Sequence, residues 1–333
     1  MSETQSLSLA DIEDLAYTAL SGAGADEDNA RAVAENVARA EQDGALSHGL
    51  FRIPGYVAGL KSGKVNGNAN PETITQGAIV RCDAQNGYAP LALKRACPVL
   101  AETAKQYGTA VLTLTRAHHF AALWHETESL ANLGVAALAC TCYMPAVAPA
   151  GGNSPLFGTN PISFAWPRTN NSPVVFDMAT ASMAKGEIQL AAQENRSLPQ
   201  GCGLDKDGNH STDPNEILKG VILPFGGYKG SAISLMVELL SAALIGENFS
   251  FEAAQNDNKD GAPPRGGEFI LALAPQVLAG DDWNKHAESL FNKMKDMPGV
   301  RLPGERRHQN RKDEGERQVN VALINKIKAL NDN

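Results

Sequence analysis

Seven short strings in this chain carry residue types that do chemistry. Ser47-His48-Gly49, with Arg52 four residues beyond the imidazole, lies between two helical patterns. An arginine clamps a small carboxylate through two parallel hydrogen bonds, and a neighbouring imidazole trades a proton at the next heteroatom. One helical turn would bring both side chains to one face. Gly49 and Pro54 argue that the regular helix begins only near Phe51. The plainer reading is a capping serine, a solvated histidine and a surface arginine.

The second string, His118-His119-Phe120-Ala121-Ala122, follows a β-rich run and opens a helix, where free N–H groups attract phosphate. It reads equally as a polar strand end, and a zinc site with His125 matches no standard ligand spacing. Gly158-Thr159-Asn160-Pro161 is a tight loop whose amides and hydroxyl suit a carboxylate, or an ordinary turn. Asp177-Met178-Ala179-Thr180 ends a strand. Glu187, in the first turn of a following helix, is either a dipole-favoured acid or part of a proton relay. Pro224-Phe225-Gly226-Gly227-Tyr228-Lys229-Gly230-Ser231 surrounds one lysine with three glycines, as a loop does when backbone approaches an anion. The segment Arg301 to His308 gathers three arginines, which suits a phosphate clamp or a solvated basic loop.

The elements around these strings come from hydrophobic periodicity. Ser8 and Asp26 cap two helices, and a third runs from about Phe51 to Gly63. Gly67-Asn-Ala-Asn-Pro71 is a linker, and mixed strands and helices follow it. Strands are expected near 78–82, 109–115, 135–143, 162–166, 174–177 and 269–277. Helices are expected near 90–107, 120–133, 184–194, 231–245, 283–297 and 319–330, with a polar loop over 204–214. The class is α+β or mixed α/β. Residues 1–72 form a helical domain, joined by the C-terminal 303–333, and residues 73–302 form the larger domain.

The 333 residues are 43% hydrophobic and 20% charged, enough for a sizeable core and unlike a disordered chain. A net charge of −8 argues against a nucleic-acid binder. Five cysteines are too sparse for a disulfide framework, and Cys140 and Cys142 read as small apolar groups on one strand face. The apolar stretch 134–150 is broken by Pro145 and Pro149, so no membrane span is expected, and a cytoplasmic enzyme is the starting expectation. No G-x-G-x-x-G and no Walker A string is present.

Taken together, the strings resemble the malate/L-sulfolactate/L-lactate dehydrogenase-like NAD(P)H oxidoreductases, from the Ser8 helix to the arginine-rich segment. Within that family the chain looks most like the Δ1-piperideine-2-carboxylate/Δ1-pyrroline-2-carboxylate reductases. The stretch Pro224 to Phe251 and an acid at Glu187 carry the closer likeness. The resemblance implies a non-Rossmann cofactor domain on a largely antiparallel sheet, a homodimer and NADPH. It implies reduction of cyclic imine acids to L-pipecolate and L-proline, the alternative being a 2-hydroxy-acid or ureidoglycolate dehydrogenase. It places the cofactor against His118, His119, Phe120, Ala121, Ala122, Asp177, Met178, Ala179, Lys229, Gly304, Glu305 and Arg306. Arg52, Thr159 and Asn160 are expected to hold the substrate. His48 is expected to donate the proton through a relay of Ser47 and Glu187, with His119 as the rival donor.

Overall fold

Local chemistry starts the first helix: the Ser8 side chain accepts from the Asp11 amide, and the Asp11 carboxylate accepts from the Ser8 amide. Asp26 caps the second helix, Glu27–Gln42, through the Asn29 amide. In this computed structural model, which describes residues 3–118 and 122–331, both helices turn their apolar stripes inward. Ile12, Ala16, Val33 and Val37 meet Leu50, Tyr56 and Leu60, together with Ile324 and Ile327 of the C-terminal helix Val321–Lys328. The chain ends are further tied by Thr4–Leu7, which pairs antiparallel with Arg317–Asn320.

A seven-stranded sheet forms the rest of the frame. Its order is Glu72–Gln76, Ile79–Asp83, Thr109–His118, Arg265–Leu273, Ala136–Thr141, Ile162–Trp166 and Val174–Met178. Every neighbouring pair is antiparallel except Ile79–Asp83 with Thr109–His118. Helices Ala89–Tyr107 and Trp124–Asn132 lie on the sheet, and Leu100, Leu112, Leu114, Leu130 and Ile270 close a fully buried core between them. Another cluster joins Cys140 and Cys142, packed as apolar groups, to Val237 and Ala242.

Several elements differ from the periodicity. The Phe269–Val277 strand begins instead at Arg265, because a bulge between Gly266 and Glu268 hides the register, and it ends before Pro275 opens a short helix. The Ser231–Ile245 helix starts three residues earlier, at Tyr228, and turns π-helical over Leu239–Ala243. The polar loop contains the ladder Gly203–Leu204 with His210–Ser211, and Pro214 opens a helix. The helix expected from Phe120 is seen from Trp124, and residues 119–121 lie outside the described residues.

Candidate active site

Between the helical cluster and the sheet lies a cavity with two lobes, of about 300 and 400 Å³. His48, Thr159 and Pro161 line both, so they stand where the lobes meet.

The segment that carries His48 and Arg52 is two 3₁₀ turns, Leu46–His48 and Leu50–Arg52, leading into the helix Ile53–Lys61. Gly49 joins them against the Glu41 side chain, where a Cβ would fall 2.0 Å from Glu41 Oε1. The same carboxyl oxygen accepts from the Leu50 amide at 2.8 Å. Burial pushes Glu41 up to about 7. Arg52 Nε donates to the Ser47 carbonyl at 2.7 Å, which fixes the guanidinium toward the smaller lobe beside Phe51, Tyr56 and Tyr143. Ser47 Oγ lies 3.1 Å from His48 Nδ1, so adjacent residues are hydrogen-bonded and Nε2 is left for a ligand. Burial, then the Arg52 charge, pushes His48 down to about 4.

Helix Lys185–Gln193 presses on this turn. A Cβ at Gly186 would lie 3.0 Å from Ser47 Cβ and 3.2 Å from Arg52 Nη2. Glu187 lines the larger lobe with Ser47, and Gln189 lines the smaller one.

Thr159 and Asn160 part company. Thr159 faces the junction of the lobes. Asn160, fully buried at φ 39°, instead gives Nδ2 to Glu238 Oε1 at 2.9 Å and to the Ser234 carbonyl at 3.2 Å. Its side-chain amide therefore braces the loop, and the expected part of Asn160 in holding substrate stays a proposal.

The larger lobe takes Asp177, Met178 and Ala179 from the strand end, Ala122 from the segment before the Trp124 helix, and Arg306 from the arginine-rich segment. Burial pushes Asp177 up to about 6, and its Oδ2 accepts from the Trp124 amide at 3.1 Å. Trp124 Nε1 donates to Asp43 Oδ2 at 2.8 Å, and the Arg307 guanidinium lies 4.9 Å over the indole. Arg311 donates to both Asp43 oxygens at 2.6 Å, tying the C-terminal segment across the lobe. Gly304 has φ 93°, and a Cβ there would lie 3.1 Å from the Val175 carbonyl oxygen.

Four expected cofactor residues sit off the lining, Gly304 among them. His118 is buried with Nδ1 3.2 Å from the Pro263 carbonyl, because the strand carries it inward beneath the smaller lobe. Lys229 is exposed in the first turn of its helix. Glu305 lies 3.6 Å from Lys295. His119, Phe120 and Ala121 fall outside the described residues. Sequence reading overlooked Asp43, Trp124, Tyr143 and Gln189, which carry no local motif and reach the cavity only through the fold. Arg307 lay within the arginine-rich string but was not singled out.

Residues 7–328 match the malate/L-lactate dehydrogenase family. The chain is 42% identical over 336 residues to a Δ1-pyrroline-2-carboxylate reductase of Ancylobacter novellus, covering 99% of this chain and 98% of that protein. It is 45% identical over 300 residues to a Δ1-pyrroline-2-carboxylate/Δ1-piperideine-2-carboxylate reductase of Pseudomonas putida, covering 90% of this chain and 88% of the other. The solved Δ1-piperideine-2-carboxylate reductase of Pseudomonas syringae superposes with a TM-score of 0.92 at 41% identity, over 98% of this chain and all of that one. The chain belongs to the malate/L-lactate dehydrogenase family.

Proposed function

We propose that this protein is an NADPH-dependent reductase of cyclic imine acids, converting Δ1-piperideine-2-carboxylate and Δ1-pyrroline-2-carboxylate to L-pipecolate and L-proline. The carrying observation is the joined cavity: a small lobe with a fixed guanidinium opens onto a larger lobe with an arginine, and His48 stands at the junction. The names of the relatives support the substrate class.

The donor set of the larger lobe fits a nicotinamide nucleotide. Asp177 offers a buried carboxyl of raised proton affinity, and Arg306 a charge for the extra phosphate of NADPH. Bound there, the reduced cofactor supplies a hydride. Arg52 holds the substrate carboxylate in the smaller lobe, and Thr159 sits beside the ring. Reduction of the C=N bond would need a hydride at C2 and a proton on the ring nitrogen, the latter assigned to His48 at the junction of the lobes. The ligand-free imidazole is neutral near pH 7, since Arg52 and burial both oppose its charge. A carboxylate docked on Arg52 offsets the lesser of the two causes, the Arg52 charge, and so moves His48 toward its protonated form. The Ser47 hydroxyl orients Nδ1, and Glu187 in the adjoining lobe is the source from which His48 is reprotonated.

We further infer a non-Rossmann cofactor domain, supported by a sheet with one parallel pair and no G-x-G-x-x-G. The division into residues 1–72 with 303–333, and 73–302, is supported by the core shared between the first helices and the C-terminal one. A homodimer is supported by the exposed Leu235, Met236, Leu239 and Leu244 along one helical stretch. No described helix is long and apolar enough to cross a membrane. The test of function is NADPH oxidation with the two imine acids, against pyruvate and oxaloacetate. Imine turnover should exceed oxo-acid turnover by at least about tenfold in kcat/KM, a discrimination of about 1.4 kcal/mol. The reverse ranking would move the protein to the hydroxy-acid dehydrogenases.

A further inference from the structure

We propose that Glu238 is a positioning residue, a buried carboxylate that sets the loop Gly158-Thr159-Asn160 beneath the bound imine acid. The proposal rests on the reading of Thr159 as the loop residue beside substrate.

Glu238 ends the helix Tyr228–Glu238, just before the π-helical turn, and is 4% exposed. Three donors converge on it. Asn160 Nδ2 reaches Oε1 at 2.9 Å, Ser250 Oγ reaches Oε1 at 2.5 Å, and the Ser250 amide reaches Oε2 at 3.0 Å. Its contacts grip the loop on both sides of Thr159. Behind it, the hydroxyl of Ser250, its hydrogen given to Glu238, accepts the Gly158 amide at 2.9 Å. Ahead of it, Asn160 holds a left-handed conformation, φ 39°, that its hydrogen-bonded side chain sustains. Thr159 itself is held by its carbonyl, which accepts from the Thr180 amide at 2.9 Å and from Thr180 Oγ1 at 3.1 Å. Thr180 Oγ1 in turn lies 2.6 Å from Ser234 Oγ, one turn before Glu238.

Only an acceptor at both oxygens satisfies this arrangement. A glutamine at 238 presents one oxygen and one NH₂. Either orientation turns an N–H toward the Ser250 amide or toward the Asn160 and Ser250 side-chain donors. Hydrogen bonds to a charged acceptor are about twice as strong as neutral ones, so the loop loses strength as well as partners. A Cβ at Gly158 would lie 2.6 Å from Asn160 Oδ1 and 2.7 Å from the Tyr143 amide nitrogen. Steric closeness thus leaves little slack, and a loosened loop moves Thr159.

The test compares Glu238→Gln and Ser250→Ala with the wild-type protein. Hydrogen exchange at the Gly158 amide should quicken at least about tenfold in both variants, as expected when a protecting hydrogen bond is lost. KM for Δ1-piperideine-2-carboxylate should rise at least about fivefold in Glu238→Gln, and less in Ser250→Ala, with kcat falling under about threefold. A merely structural carboxylate would lower Tm and the folded fraction but leave the KM of the folded enzyme unchanged, and that result overturns the proposal. Unchanged exchange at Gly158 overturns it as well. If wild-type protein turns over no imine acid, the functional reading has failed, and the exchange result alone then decides whether Glu238 holds the loop.

Discussion

Removing the Arg52 guanidinium isolates substrate anchoring from the rest of the site. Its Nε is committed to the Ser47 carbonyl at 2.7 Å, so the free edge of the fork is aimed before any ligand arrives. An aimed, half-buried guanidinium on a carboxylate is worth about 2–5 kcal/mol when one partner is cut away. Arg52→Met should therefore raise KM for Δ1-piperideine-2-carboxylate by about 30-fold or more, since 1.4 kcal/mol is a factor of ten. NADPH affinity, measured by quenching of protein fluorescence, should stay within about twofold, because Arg52 lines the smaller lobe and the nucleotide is assigned to the larger. Arg52→Lys keeps the charge but loses the fork and cannot hold the Ser47 carbonyl in the same geometry, so its KM should fall between the two. There is a second signature. Arg52 also lowers the proton affinity of His48, so Arg52→Met should raise the imidazole pKa above about 4, readable by NMR titration. A KM unchanged within about twofold would refute the anchoring assignment, and an unmoved imidazole would refute the coupling.

Other outcomes follow from the same geometry. His118 is held near pKa 4 by burial against an ordinary value of 6.5, so as pH falls through 6.5 the unfolded chain takes a proton the fold refuses. Wild-type protein should thus lose about 2 kcal/mol more than His118→Gln between pH 7 and pH 5, measured by urea unfolding; equal losses would contradict it. Gly158→Ala should cost about 1–3 kcal/mol in stability, because its Cβ has no room beside Tyr143, and an unchanged Tm would show the loop to be looser than drawn. Arg306→Ala should weaken NADPH about tenfold or more and NADH little, and equal weakening would remove the phosphate assignment.

The legible parts of this chain were those governed by local rules. Ser8 and Asp26 announce their helices because capping is a contact between near neighbours. Ile162–Trp166 was read to the residue because its strand is apolar and bounded by prolines on both sides. Glu268 concealed the start of the strand Arg265–Leu273 because it is a fully buried acid beside a bulge, where pattern predicts an exposed residue. In the site, the closeness of Ser47, His48 and Arg52 was legible because two consecutive turns of one short segment hold them. Asp43 and Trp124 were not, since their bond at 2.8 Å joins residues 81 apart and exists only after folding. The bond of Asn160 to Glu238 was hidden too, since it joins residues 78 apart and a polar residue in a tight loop gives no sign of its partner. The partner of His118 was not legible either, since its contact with the Pro263 carbonyl joins residues 145 apart.

The central claim is that a cyclic acid and a nicotinamide meet at His48 and Thr159. A crystal structure with NADP and the planar analogue pyrrole-2-carboxylate tests it most directly. The account predicts the analogue's carboxylate on Arg52, its ring beside His48 and Thr159, and the nicotinamide in the lobe of Asp177 and Trp124. An analogue bound away from Arg52, or a nicotinamide filling the smaller lobe, would contradict it.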